Sequence, residues 1–204
     1  ILQALHPEDA VTVGGFETID GKEKGRYDLV VSNIPFGDIS VFDPEFSKSE
    51  NEVRRFAASA IHNYFFLKAL DMVRDGGLVA FITSRGVMDS LRNTAVRREM
   101  VRKANLVTAL RLPDGLFSEE AGTEVGSDLI VLQKDSRKNF ISVFEEDFVT
   151  SEMTQGDIAM SRYFSNNYEK VLCTRSEMGT NAYGRPAYVY LWDDSMESLA
   201  KTLA

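Results

Sequence analysis

Four short, largely apolar runs divide this chain, and the segments between the first three have apolar residues at every third or fourth position. Such runs predict β-strands, and the more continuous ones, at 28–31 and 78–83, predict buried strands, because strands covered on both faces are apolar throughout. The runs are Asp28–Val31, Leu78–Thr83, Leu106–Leu112 and Asp128–Gln133. The helical spacing predicts α-helices over Glu52–Arg74 and Asp89–Lys103. Strand, helix, strand, helix, strand is the order of a doubly wound α/β sheet.

The last two predicted strands have no helix between them. The connection contains the turn formers Pro113, Asp114 and Gly115 and is too short for a parallel crossover, so we expect the last strand to run antiparallel. Weaker patterns predict a short strand at Val11–Val13 and a strand or edge element at Ile141–Phe148. Because the signals fade beyond Ser136, we predict a sheet domain over residues 1–135 and an appendage, or the start of a further module, over residues 136–204.

Composition limits the classes of protein that need to be considered. The 204 residues are 44% hydrophobic and 26% charged, which is ordinary for a globular protein with a sizeable core. A single cysteine, Cys173, excludes an internal disulfide framework, and with two histidines it leaves no metal cluster. No membrane span and no signal segment are evident, so we expect a cytoplasmic protein. The formal net charge of −8 argues against a surface that binds nucleic acid everywhere, although local basic patches remain open.

The segment that follows the first strand carries the clearest candidate chemistry. Asn33, Ile34, Pro35 and Phe36 stand where the strand ends, and Pro35 forces the residue before it into an extended conformation. Loops at the carboxyl ends of parallel strands are where open α/β sheets bind ligands. An amide, a rigid turn and an aromatic face suit a flat ring with hydrogen-bonding groups. The alternative is a plain proline turn whose aromatic residue returns to the core.

With these residues in view, the chain resembles the amino methyltransferases that use S-adenosylmethionine, in particular the DNA adenine-N6 group. It looks most like helicase–methylase fusions of bacterial mobile elements and the modification subunits of restriction systems. The resemblance covers Val11–Lys134 well and the remainder loosely. The segments that carry it are Asn33–Phe36, Ile61–Leu70, Gly76–Ser84, Leu112–Phe117, Gly122–Val125 and Asp128–Lys134. Ile34 departs from the family pattern, in which proline is commoner, and the family tolerates this because the position acts through its backbone.

The resemblance implies a Rossmann-like methyltransferase sheet and a DNA adenine-N6 methyltransferase activity. The side-chain oxygen of Asn33 and the main-chain carbonyl of Ile34 would accept hydrogen bonds from the exocyclic amine of a flipped adenine. Pro35 would stiffen that backbone, and Phe36 would stack on the base. The implied partner is DNA, with no membrane and no metal.

The resemblance also implies where the cofactor S-adenosylmethionine binds. Phe16 and Glu17 are the candidates for gripping its adenine, although Glu17 also suits a solvated loop acid. The glycine-rich loop for the methionine part and the acid for the ribose would lie upstream of Ile1. Ile1–Leu5 looks like the end of a helix already under way, so we expect a fragment of a longer protein, called the parent below. The fragment alone is expected to be inactive.

Other residues and functions stay open at this stage. The arginines at positions 92, 97, 98 and 102 suit a solvated helix face better than a phosphate site, and His62 suits a structural role. Residues in the Phe42–Phe46 region are candidates for gating the base pocket. A protein-glutamine methyltransferase with a similar motif, and a scaffold that keeps only the fold, are the competing functions.

Overall fold

Four strands form the central sheet of the chain, for which the computed structural model describes residues 2–37, 39–116, 126–154, 156–181 and 184–203. The strands are β1 (Tyr27–Asn33), β2 (Val73–Ser84), β3 (Ala104–Arg111) and β4 (Ser127–Lys134). Their order across the sheet is β1-β2-β4-β3. β1 pairs with β2 in parallel, whereas β4 is antiparallel to both of its neighbours. The predicted α/β class and the reversed last strand are confirmed.

Helices connect and cover these strands. They are α1 (Leu2–Leu5), α2 (Pro44–Ser47), α3 (Glu52–Ala57), α4 (Ile61–Met72), α5 (Gly86–Asp89), α6 (Thr94–Lys103), α7 (Val143–Val149), α8 (Arg162–Asn166) and α9 (Met196–Leu203). Two small hairpins follow the sheet and consist of β5 (Ser151–Met153) with β6 (Ala159–Ser161), and β7 (Arg175–Thr180) with β8 (Pro186–Leu191). α4 packs on β2 through aromatic side chains, and the ring centroids of Phe66 and Phe81 lie 5.1 Å apart.

Three sequence-based predictions of local structure were wrong. Val11–Val13 forms no strand, because no other described segment pairs with it. The helix predicted over Glu52–Arg74 is interrupted at 58–60, where the carbonyl of Ala58 instead accepts a hydrogen bond from the backbone N–H of Val41. The segment at Ile141–Phe148 is mostly helix α7 and not a strand.

A capping box explains why α7 is a helix. The Ser142 hydroxyl accepts a hydrogen bond from the backbone N–H of Glu145, and the Glu145 carboxylate accepts from the backbone N–H of Ser142. Serine followed three residues later by glutamate is a recognised signal for the start of a helix. The signal is present in the sequence and outweighs the β-like apolar residues around it.

The two outer strands of the sheet have different surroundings. The chain after residue 136 covers the edge of β3, where the backbone N–H of Ala109 donates to the Tyr163 hydroxyl and the N–H of Leu172 donates to the carbonyl of Arg111. On β1, by contrast, Leu29 and Val31 are 52% and 69% exposed, so the prediction of a buried strand at this position was wrong. No described strand pairs with the outer edge of β1. The sheet is therefore closed on the β3 side and open on the β1 side.

Candidate functional site

The loop after β1 continues the strand pairing by one residue. The backbone N–H of Ile34 donates to the carbonyl of Ile82 at 3.0 Å, and the Ile34 side chain is only 1% exposed. Proline lacks an N–H, so isoleucine supplies a hydrogen bond that proline could not make at this position. Asn33 and Pro35 on either side are exposed. The backbone of the loop is thus anchored while the Asn33 side chain faces outward.

Phe36 borders a cavity of about 1070 Å³ that lies beyond the carboxyl end of β1. Its walls come from the loop at 36–37, the α3–α4 junction at 56–63, residues 84–93 after β2, and residues 156–160 and 185–190. Ligand pockets of proteins commonly have volumes of about 300–1,000 Å³, so the space is ample for a nucleotide. The segment after residue 136 therefore contributes one side of the cavity. The sequence alone did not predict this contribution.

The residues predicted to bind the target base and those predicted to bind the cofactor both lie near the start of α4. Phe36 shares the cavity lining with residues 62–63, while the Phe16 ring packs on the next two residues, with its centroid 6.3 Å from Tyr64 and 4.8 Å from Phe65. Phe16 is partly buried and begins a 3₁₀ turn at Phe16–Thr18, whereas Glu17 is exposed. Asn33, Ile34, Pro35 and Glu17 do not border the cavity themselves.

A buried hydrogen-bonded cluster holds the long loop that follows Phe36. The Asp43 carboxylate accepts from the Tyr64 hydroxyl at 2.6 Å and from the Lys68 ammonium at 3.1 Å, and its other oxygen accepts from the first N–H groups of α2. Burial raises the pKa of Asp43, but the hydrogen bonds from Tyr64 and Lys68 outweigh it and hold the pKa below its usual value. Burial and the Asp43 carboxylate raise the pKa of Tyr64.

This cluster corrects the predicted gate. Phe46 is fully buried, with its ring centroid 4.7 Å from that of Tyr64, and Phe42 is 79% exposed. Neither residue borders the cavity. Asp43 before Pro44 is an N-cap followed by proline at the first helical position, a helix-start signal that is present in the sequence.

A second buried network lies at the carboxyl ends of β2 and β3. Arg111 is 1% exposed and donates to both oxygens of Asp128, at 2.9 and 3.0 Å, and to Asp89 at 3.0 Å. Burial lowers the pKa of the Arg111 guanidinium, but the two carboxylates outweigh it and raise the pKa. The guanidinium also stacks over the ring of Phe164, 4.3 Å from its centroid. The network joins the cavity wall to the segment after residue 136.

The sequence had indicated that the arginines around α6 form one solvated face. The structure shows that they do not. Arg97 is fully buried, and Arg98 makes a bidentate ion pair with Glu146 at 2.7 and 2.9 Å. Arg102 is exposed. Arg92 is also exposed and borders the cavity. The four arginines therefore have separate roles.

Metal-binding clusters and membrane-spanning helices are both absent from the described ranges. No group of three or more His, Cys, Asp or Glu side chains there is arranged to hold a metal ion. No helix within the same residues has the length and apolar character needed to cross a membrane.

The sheet order, the reversed β4 and the ligand-sized cavity beyond β1 define a Rossmann-like α/β fold of the methyltransferase type. The chain belongs to the N-6 DNA methylase family, whose model matches residues 6–176. Members of this family are S-adenosylmethionine-dependent DNA methyltransferases. The family predicted from the sequence motifs is therefore confirmed. The Gly122–Val125 part of that resemblance lies outside the described residues.

Individual relatives are all much longer than this chain. It is 30% identical over 136 residues to "Defense against restriction protein B" of Escherichia phage P1, a match that covers 66% of the chain and 6% of the phage protein. The M protein of the type I restriction enzyme EcoKI has 23% identity and a TM-score of 0.48, over 62% of this chain and 24% of that one. A modification subunit of a putative type I restriction enzyme from Vibrio vulnificus YJ016 has 16% identity and a TM-score of 0.47, over 90% and 41%.

Proposed function

We propose that this chain carries the target-base part of a DNA adenine-N6 methyltransferase active site, and that the parent transfers methyl groups from S-adenosylmethionine to DNA. One observation carries the proposal. The Asn33–Phe36 loop is anchored at the carboxyl end of β1 and leads directly into a cavity of about 1070 Å³. Membership of the N-6 DNA methylase family supports the same reaction class.

In this proposal two oxygens of the loop grip the exocyclic amine of the adenine. The Asn33 side-chain oxygen and the Ile34 carbonyl accept its two hydrogens, which leaves the nitrogen lone pair free to attack a methyl group. The bond from Ile34 N–H to the Ile82 carbonyl and the buried Ile34 side chain hold this backbone before the base arrives. Acceptors placed in advance need no reorganisation during the reaction, which is a main source of catalytic advantage.

The ring of Phe36 would stack on the base turned out of the duplex. Phe36 is half-buried and borders the cavity, so one face remains available to a ligand. Stacking of a base on an aromatic side chain contributes about 1–3 kcal/mol. The rest of the cavity has room for the sugar and for part of the neighbouring strand.

S-adenosylmethionine, when bound, supplies a methyl group on a positively charged sulfur. The partly buried ring of Phe16 and the exposed carboxylate of Glu17 fit its adenine, because one offers a stacking face and the other an acceptor for an amine. Both residues follow one another in a 3₁₀ turn against α4. We propose that the groups for the ribose and the methionine part come from the parent outside this chain, and that methyl transfer requires them.

The test measures transfer of labelled methyl groups to DNA by the parent and by three variants. Asn33→Ala should lower kcat by about 10²–10³-fold while DNA still binds, by analogy with the loss of one preorganised transition-state contact. Phe36→Ala should weaken DNA binding by about 5- to 150-fold, the equivalent of the stacking energy. Phe42→Ala is the matched control, since Phe42 is 79% exposed and does not border the cavity.

Each alternative has its own outcome in this assay. Transfer that is unaffected by Asn33→Ala and Phe36→Ala would remove both residues from the site. Label on a glutamine-bearing protein and not on DNA would indicate a protein-glutamine methyltransferase. A parent that fails to bind S-adenosylmethionine would be a scaffold.

A further inference from the structure

The cavity lining includes two exposed arginines from distant parts of the sequence. Arg92 lies in the 3₁₀ turn before α6, and Arg185 lies in the turn that enters β8. Both border the same cavity as Phe36, and both side chains are solvent-exposed. Within the described residues neither guanidinium has a hydrogen bond or ion pair to another side chain. Their donors are therefore available to a ligand.

The other two arginines of the cavity lining are already occupied. Arg85 pairs with Asp114 at 3.4 Å and donates to the carbonyl of Tyr188 at 2.6 Å. Arg111 is buried between its two aspartates. Asp157 is an exposed acid on the same lining and opposes the charge of Arg92 and Arg185 only in part. The binding capacity for an anion is therefore concentrated in two side chains.

We infer that Arg92 and Arg185 bind backbone phosphates of the DNA strand whose base enters the cavity. The inference rests on the proposed function and adds the groups that position the strand. A guanidinium offers paired N–H donors in a planar fork that matches phosphate oxygens. The chain as a whole has a net charge of −8, so its general field repels DNA and local arginines must supply the attraction.

The backbone around Arg185 is ordered in a way that suits a fixed contact. The backbone N–H of Asn181 donates to the Arg185 carbonyl at 2.8 Å, and the Asn181 side-chain oxygen accepts from the Arg185 N–H at 3.1 Å. The β7–β8 hairpin thus holds the base of the Arg185 side chain, while β8 is tied to the sheet through the bond from Tyr190 N–H to Asp114 at 2.7 Å. The segment after residue 136 accordingly takes part in strand positioning.

The experiment measures how salt weakens DNA binding by the parent and its variants. The logarithm of the binding constant falls linearly with the logarithm of the salt concentration, with a slope of about −0.9 for each phosphate neutralised on duplex DNA. Arg92→Ala and Arg185→Ala should each reduce the magnitude of the slope by about 0.9 between roughly 50 and 200 mM salt. Asp157→Asn, which removes the opposing acid, should strengthen binding.

Arg102→Ala is the matched control. Arg102 is exposed, lies in the last turn of α6, and does not border this cavity. Its slope should equal that of the unmodified parent. Thermal unfolding of each variant should be unchanged, because the substituted side chains are exposed.

Three results would overturn the inference. They are slopes that do not change in Arg92→Ala and Arg185→Ala, an equal change in Arg102→Ala, and an unmodified parent that does not bind DNA at the lowest salt. Failure of the proposed function is read separately, from methyl transfer by the Asn33 and Phe36 variants. Unchanged salt slopes together with loss of transfer in Asn33→Ala would reject the phosphate contacts and retain the enzyme.

Discussion

Replacing Arg97 with methionine tests how much a fully buried guanidinium contributes to the stability of the fold. Arg97 is 0% exposed, and its guanidinium has no ion-pair partner among the described residues. It donates to the carbonyl of Val149 at 2.8 and 3.0 Å, to the carbonyl of Val87 at 2.7 Å and to that of Ser90 at 2.9 Å. Burial lowers the pKa of Arg97 to about 10, so the group is still charged at neutral pH. One side chain thus joins α6 to the ends of α5 and α7.

The size of the effect follows from the acceptors that lose their donor. A buried carbonyl left without a partner costs about 1–3 kcal/mol, so the loss of Arg97 from Val87 and Val149 should cost about 2–6 kcal/mol. Methionine keeps most of the volume, so the change creates little cavity. Removal of a desolvated charge acts in the opposite direction. The prediction is that the lost hydrogen bonds outweigh this relief.

The assay is chemical denaturation of the chain, with the free energy of unfolding compared between Arg97→Met and Arg98→Met. Arg98 is the next residue on the same helix, but its ion pair with Glu146 is 36% exposed on the arginine side, so its loss should cost about 0–1 kcal/mol. If Arg97→Met does not fold, Arg97→Lys takes its place in the comparison, because lysine keeps the charge and some of the hydrogen-bond donors. An Arg97→Met protein as stable as the unmodified chain, or more stable, would refute the reasoning.

Two further perturbations address the loop after β1 and the cluster behind it. Ile34→Pro removes the N–H that donates to Ile82 and should lower the free energy of unfolding by about 1–3 kcal/mol, whereas unchanged stability would show that this bond contributes nothing. Asp43→Asn should lower the free energy of unfolding at neutral pH. It should also make that free energy decrease less steeply as the pH is lowered. The folded pKa of Asp43 lies below the unfolded value, so its contribution is complete above about pH 4 and is lost as the pH falls through the folded pKa. The check is the free energy of unfolding of the unmodified chain and of Asp43→Asn, measured from about pH 2 to pH 7. Equal losses of stability in the two proteins as the pH falls would contradict the prediction.

Much of the sheet was predictable because its signals are local. The run Leu78–Thr83 is apolar throughout, and the short connection before Asp128 leaves no room for a parallel crossover. Val11–Val13 shows the limit of such signals, since a short apolar run becomes a strand only where a neighbour pairs with it. The capping box at Ser142 could have been read from the sequence, and it would have corrected the strand predicted there.

The site was predictable only where it lies within one short segment. The Asn33–Phe36 motif is continuous, so the sequence pointed to it directly, although the roles of its residues remain proposals. The cavity beside it joins Phe36 to residues more than a hundred positions later, such as Arg185. A local sequence pattern cannot predict a cavity whose lining residues are so far apart in the sequence. Arg97 was missed for a related reason. Most of its partners are backbone carbonyls, which do not appear in a sequence, and its buried side-chain partner Ser151 lies 54 residues away.

The two edges of the sheet differ in whether a further strand can pair with them. Among the described residues the outer edge of β1 is unpaired, whereas Tyr163 and Leu172 form hydrogen bonds with the second half of β3. A strand supplied by another polypeptide would therefore find its longest free edge beside β1. β1 is also the strand that ends at Asn33. A strand that pairs there would lie next to the residue proposed to grip the adenine. A strand added at this edge would thus extend the sheet and border the proposed target-base site at the same time.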